Sequence, residues 1–265
     1  MSDILKAIIM GIVEGLTEFL PVSSTGHMIL TGYLLDFEGD RADTFKIVVQ
    51  LGAVLAVLVL YWKRFLRFLD IRPGFMKRPG LNVVHLILAM APFIIIGFTV
   101  YDFIKEILFG TAPVVISLIL GGILMIVAER YRGKITAETM EDITYKQALG
   151  IGLFQILAAW PGFSRSGSTI SGGMLLGTTQ KAAAEFTFII SVPMMFAASA
   201  LDLWESRDFL TMDDLPVFIA GLVAAFVVAM VAIVTFLNLI KKLKLSYFAY
   251  YRFALAAVFI VILYF

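Results

Sequence analysis

The sequence predicts an all-α polytopic membrane protein: six transmembrane helices plus two re-entrant helical hairpins, related by an inverted-topology repeat. Three observations predict it. First, of 265 residues 60% are hydrophobic and 15% charged, with a mean hydropathy of +0.95. A soluble domain is about a quarter charged. Second, two apolar stretches are interrupted by short polar segments rich in Pro, Gly and Ser. Third, the charge of the connecting segments alternates along the chain. No polar stretch exceeds about twenty residues, so the whole chain, 1–265, reads as one integral membrane domain. Its repeat halves are roughly 1–130 and 131–265.

The chain opens with the first interrupted stretch, 4–35, two short apolar pieces separated by "PVSSTGH". Each piece is too short to span, since a spanning helix needs about 20 apolar residues. Irregular backbone at membrane depth is tolerated only where it lines a protein cavity, so 4–35 reads as a re-entrant hairpin. The start, "MSDILKAIIMGIVEGL", lacks a strong basic n-region and is broken by Glu14 and Glu18. It is not expected to be a signal peptide. Spanning stretches come next at 44–62, 82–101 and 112–129. The second interrupted stretch, 146–178, has "PGFSRSGST" between its apolar pieces and reads as a second hairpin. Further spans are expected at 183–201, 215–240 and 247–265.

Loop charge sets the orientation. Segment 63–81 holds Lys63, Arg64, Arg67, Arg72, Lys77 and Arg78 against Asp70 alone. Segments 130–146 (Arg130, Arg132, Lys134, Lys146) and 241–252 (Lys241, Lys242, Lys244, Arg252) are also basic. All three read as cytoplasmic. The acidic segment 202–214 and the segment 36–46 read as outside. Six crossings fit these signs only if 4–35 enters and leaves from outside and 146–178 from the cytoplasm. Both termini then lie outside. A shift of 13–35 by 141 positions, without gaps, matches Leu16 to Leu157, Ser23 to Ser164, Gly26 to Gly167 and Ile29 to Ile170. It also matches Gly32 to Gly173 and Leu34-Leu35 to Leu175-Leu176, and it sets Glu14 against Gln155. Inverted repeats place sites near the midplane at the repeat interface.

The function classes narrow accordingly. A net charge of +1 gives no reason to expect nucleic acid. The absence of cysteine excludes disulfides and thiol chemistry. Small-residue stretches such as "GGILM" could pack helices of two copies into a homodimer.

The chemistry concentrates in the two interruptions. Glu14 and Glu18 are four apart and share a helix face. A buried carboxylate pair needs compensation, and a divalent metal, Arg165 or a protonated His27 could supply it. After Pro21 the chain turns through Val22, Ser23, Ser24, Thr25 and Gly26, offering hydroxyls and free amides that suit an anion. His27 can serve as acid, base or nucleophile. The second interruption adds Ser164, Arg165, Ser166, Ser168, Thr169 and Ser171. Arg with hydroxyls and glycines is a phosphate-binding set. Together these groups read as phosphoryl chemistry more readily than as ion conduction. The serines also have a packing explanation, because small residues let membrane helices approach closely. His85 reads as interfacial. Gln50 and Glu185 read as helix–helix hydrogen-bonding residues, with a supporting role at a site as the alternative.

The segments "EGLTEFLPVSSTGH" and "PGFSRSGSTISGG" resemble the two signature motifs of the bacterial undecaprenyl-diphosphatase, or bacitracin-resistance phosphatase, family. The resemblance extends through "AAEFTFIISVPMM" and over essentially the whole chain. It implies a multi-pass enzyme of the bacterial plasma (inner) membrane that acts on undecaprenyl diphosphate among membrane lipid. Such an enzyme releases inorganic phosphate and recycles the carrier lipid for cell-wall synthesis, and it depends on a divalent cation, Mg²⁺ or Ca²⁺. By motif position, Glu14 and Glu18 correspond to the essential acidic pair and candidate metal ligands. Ser24 and His27 correspond to the catalytic hydroxyl and imidazole. Arg165 is expected at the reacting phosphate, with Ser23, Thr25, Ser164, Ser166 and Thr169 as further phosphate-binding residues. Serine attack and water attack both remain open. The site is expected to open to the periplasmic or extracellular side. The competing class is a flippase of undecaprenyl phosphate, alone or combined with hydrolysis.

Overall fold

The computed structural model describes all residues except 71, 73, 78, 109, 110, 241 and 265, and omits the side chains of 77, 98, 100–108, 111, 263 and 264. Arg78 and Lys241 of the charge count therefore fall outside the described residues. The described structure is helical, with one isolated bridge between Ala137 and Thr178 and no strand.

The first interrupted stretch forms α1 (Asp3–Thr17) and α2 (Ser24–Leu35). Then come α3 (Asp40–Leu60), the short basic α4 (Trp62–Phe68), α5 (Val83–Leu108) and α6 (Thr111–Arg130). The second interrupted stretch forms α7 (Tyr145–Gln155), a 3-10 turn over Ile156–Ala159, and α8 (Arg165–Leu175). The chain ends in α9 (Gln180–Ser206), α10 (Leu215–Leu239) and α11 (Leu245–Tyr264).

Among the described residues, five helices are long and apolar enough to cross a membrane: α3, α6, α9, α10 and α11. The apolar part of α5 whose side chains are described, Val83–Gly97, is shorter. The four helices of the interrupted stretches have 15, 12, 11 and 11 residues. At 1.5 Å per residue none covers a hydrocarbon core of about 30 Å.

Packing is governed by small residues. α1 lies on α10 and α3. A Cβ on Gly15 would stand 2.6 Å from the Ala225 carbonyl oxygen, so only glycine permits this approach of two backbones. In the same way α7 lies on α5, where a Cβ on Gly152 would collide with the Ala89 carbonyl. The largest apolar cluster joins both interrupted stretches to the spans: Phe19 and Ile170 share it with Val57, Met125, Phe188 and Phe236. Phe19 meets Phe188 edge to face at 4.9 Å. On the outer surface of α10, Val223, Val227 and Val231 are exposed at four-residue spacing, a face that suits lipid.

Charge gathers at two ends. Arg64 pairs with Glu141, whose carboxylate also accepts from the Leu81 amide, so the basic segments after α3 and α6 meet. At the other end Arg41 pairs with Asp214 at 3.2 Å, and Thr44 bonds Ser206 at 2.7 Å. The segments read as outside therefore also meet.

One sequence expectation needs correction, and a second gains detail. Arg252 is not part of a basic loop; it lies two turns inside α11, fully buried. His85 stands in the first turn of α5, but not on its outer surface. It is buried, bonded to Asn82 and set against the Tyr145 ring at 4.2 Å.

Candidate active site

α1 ends at Thr17 with Glu18 as its C-cap, and the chain reverses through Phe19–Ser23 before α2 begins. Ser23 caps α2: its hydroxyl accepts from the Gly26 amide at 3.2 Å. Its φ is 73°, a value that a residue with a Cβ rarely adopts. In the second interruption, Ser164 caps α8 in the same way. Its hydroxyl accepts from the Gly167 amide at 3.1 Å, and its φ is also 73°. Backbone in this region tends to persist where a site requires it.

The first residue of each capped helix reaches the same carboxylate. Ser24 Oγ donates to Glu18 Oε2 at 2.5 Å, and Arg165 Nη2 donates to Glu18 Oε1 at 2.7 Å. Ser166 Oγ donates to the Leu20 carbonyl at 2.9 Å and lies 3.2 Å from Ser164 Oγ, a second tie between the two motifs. The N-termini of α2 and α8 both bring free amides and the positive ends of their dipoles to this point.

A cavity of about 200 Å³ opens here. Glu18, Ser23, Ser24, Thr25, Gln50, Ser164 and Arg165 supply its polar lining. Phe93, Met194, Met195 and Ala198 form an apolar wall. Phe93 and Met194 each come directly after a proline inside a helix, Pro92 of α5 and Pro193 of α9. One polar and one apolar wall suit an amphiphile with an anionic head.

Glu14 stands one turn before Glu18, fully buried, in electrostatic reach of both Glu18 and Arg165. Neither of its carboxylate oxygens has a hydrogen-bond partner, and Arg165 Nη1 has none either. A buried carboxylate without a donor requires a proton or a cation. Among the described residues no group of three or more His, Asp or Glu could hold a metal. Glu14 and Glu18 are the candidate protein donors, which fits Mg²⁺, an ion that takes one or two carboxylates and completes its shell with water and phosphate oxygens.

His27 turns away from this cavity. Its Nδ1 lies 2.7 Å from the Ser23 carbonyl, and its Nε2 lies 2.7 Å from the Tyr251 hydroxyl on α11. A carbonyl only accepts, so Nδ1 carries the hydrogen, and in the neutral ring Nε2 is free to accept. The hydroxyl of Ser24 is thus held by Glu18 and not by His27. Thr169 is buried behind the cavity: its Oγ1 donates to the Arg165 carbonyl at 2.8 Å and meets Thr187 Oγ1 at 2.8 Å. Ser168 bonds the Arg165 carbonyl at 2.9 Å inside α8. Glu185 lies in a separate cavity with Tyr61 and Lys181.

Sequence reasoning missed Tyr251 and Arg252. The signal was present, because Arg252 falls inside the apolar stretch 247–265 with no acidic residue beside it. Counting it with the lysines before it hid that.

The chain matches the family described as "Bacitracin resistance protein BacA" over residues 7–258. It is 52% identical, over 261 residues and 98% of each chain, to a protein named undecaprenyl-diphosphatase 1 from Bacillus thuringiensis subsp. konkukian (strain 97-27). The protein of that name from Bacillus anthracis matches at the same identity and coverage. Both polar interruptions lie inside the matched residues, and the chain belongs to the BacA family.

Proposed function

We propose that this chain is an undecaprenyl-diphosphate phosphatase, hydrolysing undecaprenyl diphosphate to undecaprenyl phosphate and inorganic phosphate. The observation that carries the site reading is Glu18, held at once by Ser24 and Arg165 beside a half-apolar cavity.

The geometry supports a distinct role for each group. Arg165 and the amides at the starts of α2 and α8 hold the diphosphate, with Ser23, Thr25, Ser164 and Ser166 shaping the loops that present them. An arriving diphosphate competes with Glu18 for Arg165. Release of Arg165 leaves Glu18 as the acceptor for the Ser24 proton. Ser24 Oγ then attacks the terminal phosphorus, the bond to the bridging oxygen breaks, and undecaprenyl phosphate leaves. Water cleaves the phosphoserine. In the rival scheme water attacks directly with His27 as base. The Ser24–Glu18 contact and the outward turn of His27 favour the serine. Glu14 and Glu18 would hold Mg²⁺ or Ca²⁺, which when bound supplies neutralisation of phosphate charge. Phosphoryl transfer depends mainly on positioning and charge, which these groups offer.

The six-span arrangement with two re-entrant hairpins is part of the same reading. The repeat in the cap geometry at Ser23 and Ser164 supports it, as do the meeting charges at each end. The site then opens to the outer face, with both termini outside. Inverted repeats also build transporters, so a flippase activity on undecaprenyl phosphate is the second reading. Phosphate release by purified protein in detergent, titrated with Mg²⁺ and Ca²⁺ and run beside Arg165→Ala, tests the first reading. A protein that only flips lipid would release none. A trapped phosphoenzyme on Ser24 would separate the two nucleophiles.

A further inference from the structure

Arg252 is fully buried, and all four of its acceptors are backbone carbonyls. Nε donates to Leu118 at 3.0 Å, and Nη2 donates to Ser117 at 3.0 Å and Gly162 at 2.9 Å. Nη1 donates to Phe163 at 2.8 Å. A guanidinium at such depth is costly, and an apolar side chain would fill the space at lower cost. Two of the four carbonyls belong to α6. The other two, Gly162 and Phe163, belong to the non-helical turn that leads into the cap Ser164. Such carbonyls need a donor when they lie inside protein at membrane depth.

We infer that Arg252 is a positioning residue for the phosphate-holding turn of the second motif, acting from behind it through the Gly162 and Phe163 carbonyls. The inference rests on the reading that the Ser164–Arg165 segment holds the diphosphate. The C=O and N–H of one peptide unit point in opposite directions. Fixing the Phe163 carbonyl toward α11 therefore turns the Ser164 amide away from α11, to the side where Gly162 and Ser164 line the cavity. The buried positive charge also polarises these peptides, so their N–H ends attract an anion more strongly. Lysine cannot substitute, because an ammonium lacks the planar fork that meets these carbonyls together.

Gly121 offers an independent way to disturb the same contact. A Cβ there would collide with Arg252 Nη2 and stand 2.7 Å from the Phe163 carbonyl oxygen. The test uses the purified full chain in detergent. Phosphate release gives kcat, KM and the inhibition constant of methylenediphosphonate, a non-hydrolysable diphosphate without a lipid tail. Melting temperature is read in parallel. Arg252→Lys and Gly121→Ala are each expected to raise KM and the inhibition constant about tenfold, the scale of one charge-assisted hydrogen bond, with a smaller fall in kcat. A purely structural lesion would lower the active fraction, and so the apparent kcat, and leave the inhibition constant alone. The inference is overturned if the folded Arg252→Lys enzyme binds methylenediphosphonate like the parent. If that variant does not fold, the same result for Gly121→Ala overturns it. Arg165→Ala separates the two levels: an unchanged inhibition constant there would show that the diphosphate site itself lies elsewhere.

Discussion

Ser23 and Ser164 stand 141 positions apart, share a φ of 73° and each cap a helix through the same atom. The residue after the cap differs between the two motifs. It is Ser24 in one and Arg165 in the other, and both reach Glu18. Further back along the chain the difference is sharper. Glu14 and Gln155 occupy matching positions and both are fully buried. Gln155 donates its amide to the Ala89 carbonyl at 3.4 Å and leaves only its Oε1 without a partner, whereas neither oxygen of the Glu14 carboxyl has one. The second motif thus carries a neutral amide at this position, tied to α5 through the Ala89 carbonyl. The first carries a buried carboxyl group that needs a proton or a cation. A buried carboxyl of this kind beside a cavity marks a functional-site candidate.

That comparison can be broken at several points. The largest effect is expected from Glu18→Gln, which keeps the shape but can neither pair fully with Arg165 nor accept the Ser24 proton. kcat should fall about 10³-fold, within the range for loss of a positioned base, as measured by phosphate release. Retention of near-parental kcat would remove Glu18 from the centre of the site. Arg165→Lys comes next. A point charge replaces the fork, and kcat/KM should fall about a hundredfold. Recovery of full activity by lysine would mean that charge alone suffices there.

Glu14→Gln makes the first motif resemble the second. The cation concentration for half-maximal activity should rise about tenfold or more, as for loss of a supporting metal contact. The metal-free protein should become more stable by about 1–3 kcal/mol, because an unpartnered buried carboxylate is gone. A loss of stability together with an unchanged cation titration would show Glu14 to be a structural residue. The smallest effect is expected from Gln155→Ala, with about 1 kcal/mol lost by the α7–α5 contact and kcat held near the parent. A large fall in kcat would give the second motif a chemical role at this position too.

Much of the molecule was legible in the sequence. Hydropathy marked the long helices, and Pro and Gly marked where the short ones stop, since both act locally on the backbone. The two motifs were visible because polar residues in an apolar chain stand out. Charge sign grouped the loops into two sets, and members of each set meet in the Arg41–Asp214 and Arg64–Glu141 pairs. Side-chain direction was not legible. The family resemblance set His27 and Ser24 together as imidazole and hydroxyl, yet one turns to Tyr251 and the other to Glu18. Thr169 sits in the right motif but behind the cavity.

The sequence alone therefore determined the all-helical membrane class, most of the long helices and the two polar interruptions, because these depend on local backbone preference and on the cost of polar groups in an apolar setting. Only the tertiary structure decided which groups touch. The Glu18–Arg165 pair spans 147 positions, the His27–Tyr251 contact 224, and Arg252 reaches Gly162 across 90. Contacts of that separation depend on how helices pack, and the approach of α1 to α10 and of α7 to α5 at single glycines fixes where each side chain ends.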